Sequence, residues 1–444
     1  MTEQRLCQTF AGAAILLLLL VTGGCTSNAA YRTDYQLCVS SKPVEDCASS
    51  SLQEYVDPAN PALAYTLGIV EFDDQGQLYD RQQMAVLLEH LYEIAEHDNL
   101  LISVFVHGWH HSAKVNDSNI VNFRKSLLKL SKLEQFDAQQ KDRKPRKVVG
   151  VYTAWRGESV SVPVLNVLTF YARKNVAQTV GHGGVTELFA RLEELRNEES
   201  ARNGRSDGSQ NRLVVVGHSF GGAIVYSALS QLLMERFVET GEPAEASGAV
   251  RGFADLVILV NPAFEALQFA TLGDMANERS SWSVEQVPVL AVLTSETDYA
   301  TKYAFWVGRA LSTMFKAHRD TVRDNRAVGG PQEISQGSAD RTAIGHFKPY
   351  RTHRLNPDDA LTDTNVYKAL KEVRFGWNRD APGQSIQFPG SVLDHLDKSI
   401  SRNPYLLIQV DQDIIPSHND IYDPRVLDFL SYLIMISVTD DVAI

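Results

Sequence analysis

Leu213-Val-Val-Val-Gly217-His218-Ser219-Phe220-Gly221-Gly222 runs directly into Ala-Ile-Val-Tyr-Ser-Ala-Leu229. Four apolar residues, three of them β-branched, predict a short buried strand. The apolar stretch after the glycines predicts a helix. Between them lies Gly-x-Ser-x-Gly, the spacing of a sharp strand-to-helix turn that lifts a serine hydroxyl out at the carboxyl end of a sheet. Gly217 and Gly221 occupy the flanks, where such a turn leaves no room for side chains. The positive end of the following helix points at the serine, where negative charge would develop.

Outward from this turn the chain alternates strand and helix. Strands are expected at 64–72, 101–106, 147–152, 254–260, 287–294 and 405–410. Helices are expected at 81–97, 119–133, 185–196 and 424–436. Such alternation predicts an α/β protein with a mostly parallel central sheet covered by helices on both faces. Residues 162–180 read as an extra helix near the site. Residues 299–403 separate two core strands and read as a long insertion before the last strand.

A serine on such a turn needs a base, an orienting acid and two backbone donors. His418 follows the last strand and precedes the final helix, so it is the expected base. His346 and His353 are rivals inside the insertion, whereas His90 and His97 lie on an amphipathic helix and read as packing or solvated residues. The acid is expected after the strand at 287–294, where Asp298 is preferred and Glu296 stands two residues away. The Phe220 amide is one expected oxyanion donor. The second is the Trp109 amide, after the tight turn of His107 and Gly108. His107, His110 and His111 lack a second cluster of ligands, so no metal is expected, and no cofactor either.

The amino terminus carries Arg5, an apolar run at 11–21 too short for a comfortable membrane span, and Thr22-Gly23-Gly24 before Cys25. This resembles a bacterial lipoprotein signal, which implies removal of residues 1–24, lipidation of Cys25 and membrane attachment. Thr26 points to an outer-membrane destination; an ordinary cleaved secretory signal is the alternative. Residues 25–60 read as a polar tether or a small disulfide-pinned arm. Cys38 and Cys47 form an even pair that an oxidising compartment would join; two free thiols are the alternative. The net charge of −12 argues against a nucleic-acid partner.

The Phe-Val-His-Gly-Trp turn at 105–109, the Gly-His-Ser-Phe-Gly turn, Asp298 and the His418-Asn-Asp loop together resemble the α/β-hydrolase superfamily. The likeness runs from about residue 64 to the end, within a domain drawn at 61–444. It is similar to bacterial lipoprotein or secreted members described as lipases or esterases. The resemblance implies a Ser219/His418/Asp298 triad cleaving carboxylic esters, with a lipid or acyl ester as the expected substrate. Competing expectations are acyl transfer, phospholipid hydrolysis using the basic stretch 316–354, and a catalytically idle envelope protein that only binds. The insertion at 299–403 is expected either to cap the site, with Tyr303, Phe305 and Trp306 facing an acyl chain, or to pack on the core.

Overall fold

The computed structural model describes residues 28–157, 166–202, 210–240, 249–326, 329–361 and 365–438. The signal-like segment 1–24 and Cys25 lie outside the described residues. Among those described, no helix is long and apolar enough to cross a membrane.

The strands in chain order are β1 (Asp34–Ser40), β2 (Ser50–Val56), β3 (Ala64–Phe72), β4 (Leu100–Val106), β5 (Lys147–Trp155), β6 (Arg212–His218) and β7 (Leu256–Val260). They continue as β8 (Leu290–Ser295), β9 (Asp320–Asn325), β10 (Gly330–Ser335), β11 (His353–Pro357), β12 (Ser385–Phe388), β13 (Ser391–His395) and β14 (Tyr405–Val410). Twelve of them form one sheet in the order β1-β2-β3-β5-β4-β6-β7-β8-β14-β11-β13-β12. From β3 through β11 every neighbouring pair is parallel. Strands β9 and β10 form a separate hairpin. The protein is therefore α/β, with a large, mostly parallel sheet.

The central parallel strands β4, β7 and β8 are buried along their whole length because helices cover both sheet faces. One face carries α2 (Arg81–Ala95), α4 (Asn166–His182), α5 (Gly184–Arg202), α6 (Phe220–Glu239) and α7 (Ala266–Glu278), preceded in the chain by the short α1 (Pro43–Asp46). Leu87, Leu192, Ile224 and Phe269 bring these helices into one core. The opposite face carries α3 (Ser118–Gln140), α10 (Val366–Asn378) and α11 (Pro424–Ser437), through Leu127, Val373 and Phe429. Between α7 and α10 the chain forms α8 (Phe305–Ser312) and α9 (Gln336–Arg341). Aspartates start several of these helices: the side chains of Asp80, Asp117 and Asp423 accept from the amides of Gln82, Asn119 and Arg425.

The sheet order contains one reversal that matters. The chain leaves β4 toward β5 on one side, then returns across β4 to place β6 on the other. α3 and α6 accordingly lie on opposite faces. The carboxyl ends of β4 and β6 thus flank a topological switch point, the usual place for a crevice in an open α/β sheet.

Two expectations change. The polar stretch at 25–60 is not only a tether, since its described part supplies strands β1 and β2 at the sheet edge, with Cys38 bonded to Cys47. Its alternating exposure is that of an edge strand with one wet face. The insertion at 299–403 is likewise not a single cap. Its second half adds β11, β13 and β12 to the main sheet beside β14.

Candidate active site

Ser219 sits between β6 and α6 with φ 56° and ψ −119°, a positive φ that a non-glycine residue rarely holds. The surroundings enforce it. The Ser219 amide donates to the Val260 carbonyl at 3.0 Å, and its own carbonyl accepts from Ala263 at 3.1 Å. A Cβ on Gly221 would stand 2.1 Å from the Val106 carbonyl oxygen, and one on Gly217 would stand 2.7 Å from that of Gly221. Both positions therefore exclude any side chain.

The loop after β14 brings His418 to this serine. His418 Nε2 lies 2.7 Å from Ser219 Oγ, and His418 Nδ1 lies 2.8 Å from Asp298 Oδ2. Asp298 is fully buried in the loop after β8. Burial works to raise its pKa, but hydrogen bonds from His418 and Thr301 outweigh this and hold it below the usual carboxylate value. The Thr301 amide donates to Oδ1 at 3.1 Å and its hydroxyl donates to Oδ2. Residues 219, 298 and 418 thus form one hydrogen-bonded chain. Glu296 faces the other way, toward Gln409 at 3.3 Å and Arg354 at 3.6 Å.

Three supporting residues, His218, Asn261 and Thr301, escaped the sequence reading. His218 Nε2 lies 2.9 Å from the His418 carbonyl, which can only accept, so this nitrogen carries the proton. Asn261, at φ 47°, donates to the same carbonyl at 3.0 Å while its side-chain oxygen accepts from the Ser295 amide. The His418 backbone is therefore held by two groups from the ends of β6 and β7. Behind the acid, Thr301 Oγ1 lies 2.9 Å from His346 Nε2. Since the threonine gives its proton to Asp298, His346 donates here. His346 is thus a neighbour of the acid and not a rival base. Burial pushes the His218 imidazole down to about 3 and His346 to about 4.

The turn after β4 closes the opposite side. A Cβ on Gly108 would lie 2.9 Å from the Ser219 Cβ, so only glycine permits this approach. His107 is fully buried: Nδ1 donates to the Gly108 carbonyl at 2.8 Å and Nε2 accepts from the Trp155 amide at 3.1 Å. Burial pushes it down to about 4. Both ring nitrogens are occupied, which fits a structural role for His107. His111 turns to Asp117 at 3.1 Å. Trp109 follows the turn, with its ring centroid 6.3 Å from that of Phe220, the first residue of α6.

Of the three aromatic residues expected to face an acyl chain, Phe305 does not. It is fully buried in the core, with the Lys174 ammonium 5.5 Å from its ring centroid. Lys174 and Arg309 share Glu265, and Arg309 continues to Asp340, so α4, α7, α8 and α9 are tied by one buried charge network. Tyr303 and Trp306 are about half exposed, at 54% and 49%. In the basic stretch, Lys316, Arg323, Arg351 and Arg354 are each engaged by acidic or amide side chains, which removes much of a free cationic patch.

Comparison with protein-family models, with curated proteins and with solved structures finds no match to this chain.

Proposed function

We propose that this chain is a serine hydrolase of carboxylic esters built on the α/β-hydrolase plan. The observation that carries the reading is the unbroken hydrogen-bonded chain from Asp298 through His418 to Ser219, on a serine with positive φ. Ser219 Oγ attacks the acyl carbonyl as His418 Nε2 takes its proton. Asp298 holds the ring by Nδ1 and stabilises the imidazolium that forms. The Phe220 and Trp109 amides serve the oxyanion of the tetrahedral intermediate. His418 then protonates the leaving alcohol, and water releases the acyl group by the reverse sequence. The chain order Ser, Asp, His and the placement of each after β6, β8 and β14 support the hydrolase plan.

An acyl or lipid ester is the substrate class favoured. Tyr299 and Tyr303 stack at 5.5 Å just after Asp298 and are largely exposed, as are Trp306 and Val307. Apolar surface gathered directly after the acid's loop suits a hydrocarbon chain. Lipidation of Cys25 and an envelope location belong to the same proposal, and Cys25→Ser should move the protein from the membrane to the soluble fraction.

The test is a fluorophosphonate probe together with p-nitrophenyl esters of rising chain length. Wild-type protein should be labelled at Ser219, and Ser219→Ala should lose label and at least about 10³-fold in kcat. Wild-type turnover in a folded Ser219→Ala protein would overturn the assignment.

A further inference from the structure

A second cluster of polar side chains lies apart from the serine, inside the added part of the sheet. His353 opens β11 and His395 closes β13, and the two are direct cross-strand partners with ring centroids 4.3 Å apart. The amide and carbonyl of His395 both bond to the β12 side, to Gln384 and Gly383. The His353–His395 pair is therefore of the non-hydrogen-bonded kind, in which facing side chains approach closest. Asp380, just beyond α10, completes the group, and all three residues are buried. Along the sheet, His353 aligns through Ile408, Leu293 and Val260 with His218. Four strand spacings, about 19 Å, separate the two places.

The protons of this cluster point outward. His395 Nε2 lies 3.2 Å from the Ser399 carbonyl and 2.8 Å from the Ser399 hydroxyl. A carbonyl only accepts, so Nε2 carries the hydrogen and a neutral ring leaves Nδ1 bare. That bare nitrogen faces Asp380 Oδ1 at 2.9 Å. The same reasoning applies to His353. Its Nδ1 lies 2.8 Å from Thr352 Oγ1, which already accepts from the Leu407 amide and donates to the Leu407 carbonyl. In the tautomer with the proton on Nδ1, that nitrogen donates to Thr352 and Nε2 is left bare. Nε2 is buried, makes no hydrogen bond, and faces Asp380 Oδ1 at 3.5 Å. The other carboxylate oxygen, Oδ2, accepts from the Arg402 amide at 2.8 Å.

With both rings in their outward-protonated tautomers, three electron-pair donors converge with no hydrogen between them. Left so, the arrangement is costly, because buried acceptors face one another. A metal cation resolves it, and outward N–H bonds to carbonyl or hydroxyl groups are how ligating histidines are normally oriented. The spacing fits as well. Tetrahedral zinc places its donors about 3.3 Å apart, and the three donor atoms here lie within 4.8 Å of one another, with two separations at 2.9 and 3.5 Å. We propose that His353, His395 and Asp380 form a buried binding site for a divalent transition-metal cation, with zinc as the best match.

Two imidazoles and one carboxylate select zinc or a neighbouring transition metal over calcium or magnesium, which prefer all-oxygen shells. Three protein donors leave a fourth position for water. The metal would staple β11 to β13 and to the end of α10. It would thereby stiffen the segment that leads from His346, beside the acid loop, into the sheet.

The experiment uses the full chain, equilibrated with zinc, freed of excess metal and assayed by mass spectrometry for metal content. The expected stoichiometry is about one zinc per chain, falling to about a tenth or less in His353→Gln and Asp380→Asn. Chelation should lower the wild-type melting temperature by about 3 °C and leave that of His353→Gln unmoved. Should a variant fail to fold, X-ray absorption on the zinc-loaded wild-type chain decides. Two imidazole nitrogens and a carboxylate oxygen at about 2.0–2.2 Å support the site. No zinc retained by folded wild-type protein, equal zinc in the folded variants, or an absorption spectrum without two imidazoles would overturn it. So would nitrogen NMR showing His395 doubly protonated in zinc-saturated protein, since a proton would then occupy the metal's place.

Discussion

Acidification should destabilise this protein well before its carboxylates titrate. His107 and His218 are fully buried beside Ser219, and burial pushes their imidazoles down to about 4 and about 3. In the unfolded chain each returns to about 6.5. Between those values the unfolded state binds two protons that the native state does not, so stability falls as pH falls. The slope is about 1.4 kcal/mol per pH unit for each group. From pH 7.5 to 5.0 the two histidines together remove about 4 kcal/mol, a large part of the stability of a typical domain. The contribution is fully present above about pH 7.5 and saturates only near the folded values. Urea denaturation followed by tryptophan fluorescence at pH 7.5 and 5.0 measures the difference. His107→Gln should remove about 2 kcal/mol of the pH-dependent part while lowering stability at both pH values. A stability that stays level from pH 7.5 to 5.0, or a pH slope unchanged in His107→Gln, would refute the reasoning.

Asp298→Asn should lower kcat for ester hydrolysis by about 10⁴, because the amide cannot hold the imidazole in the same tautomer, whereas Glu296→Gln should stay within about two-fold of wild type; a reversed order, read from steady-state rates, would move the acid to Glu296. Phe305→Ala should cost about 3–5 kcal/mol in chemical denaturation because it empties a filled core site, while Trp306→Ala should leave stability unchanged. If Trp306 contacts acyl chains, its replacement should reduce kcat/KM for long-chain esters selectively, by up to about 100-fold.

The elements around the serine were legible because their constraints are local. A strand, two glycines and a helix in one short run leave few other structures, and the order of elements then points to the loops after β8 and β14. Asp298 was preferred over Glu296, but no spacing in the chain separates the two. Both lie in one loop, and the bond from the Asp298 amide to the Ser295 carbonyl belongs to the turn that carries Asp298 inward. His218, Asn261 and Thr301 left no signal, because two of them act on the backbone of a residue far along the chain and the third on a neighbour's carboxylate. The outermost strands on each side, β1 with β2 and β12 with β13, were obscured for another reason. Strands with one wet face alternate weakly in polarity and resemble loops until their partners are known. Phe305 stayed open between cap and core because an apolar residue near a site reads the same whether it meets substrate or core. The His353–His395 pairing depends on a strand register that no spacing in the chain reveals.

The position of β14 bears on how the protein is made. It lies in the interior of the sheet, between β8 and β11, yet it follows every other described strand in sequence. Until residues 405–410 arrive, a nascent chain has two sheet fragments, each with a raw hydrogen-bonding edge open to other chains. Insertion of this strand joins the fragments and, a few residues later, delivers His418 to Ser219. Sheet completion and assembly of the site are thus a single late event. A chain stopped short of β14 would be both prone to association and without its base, so any helper that shields unfinished copies should be needed most until β14 has been made.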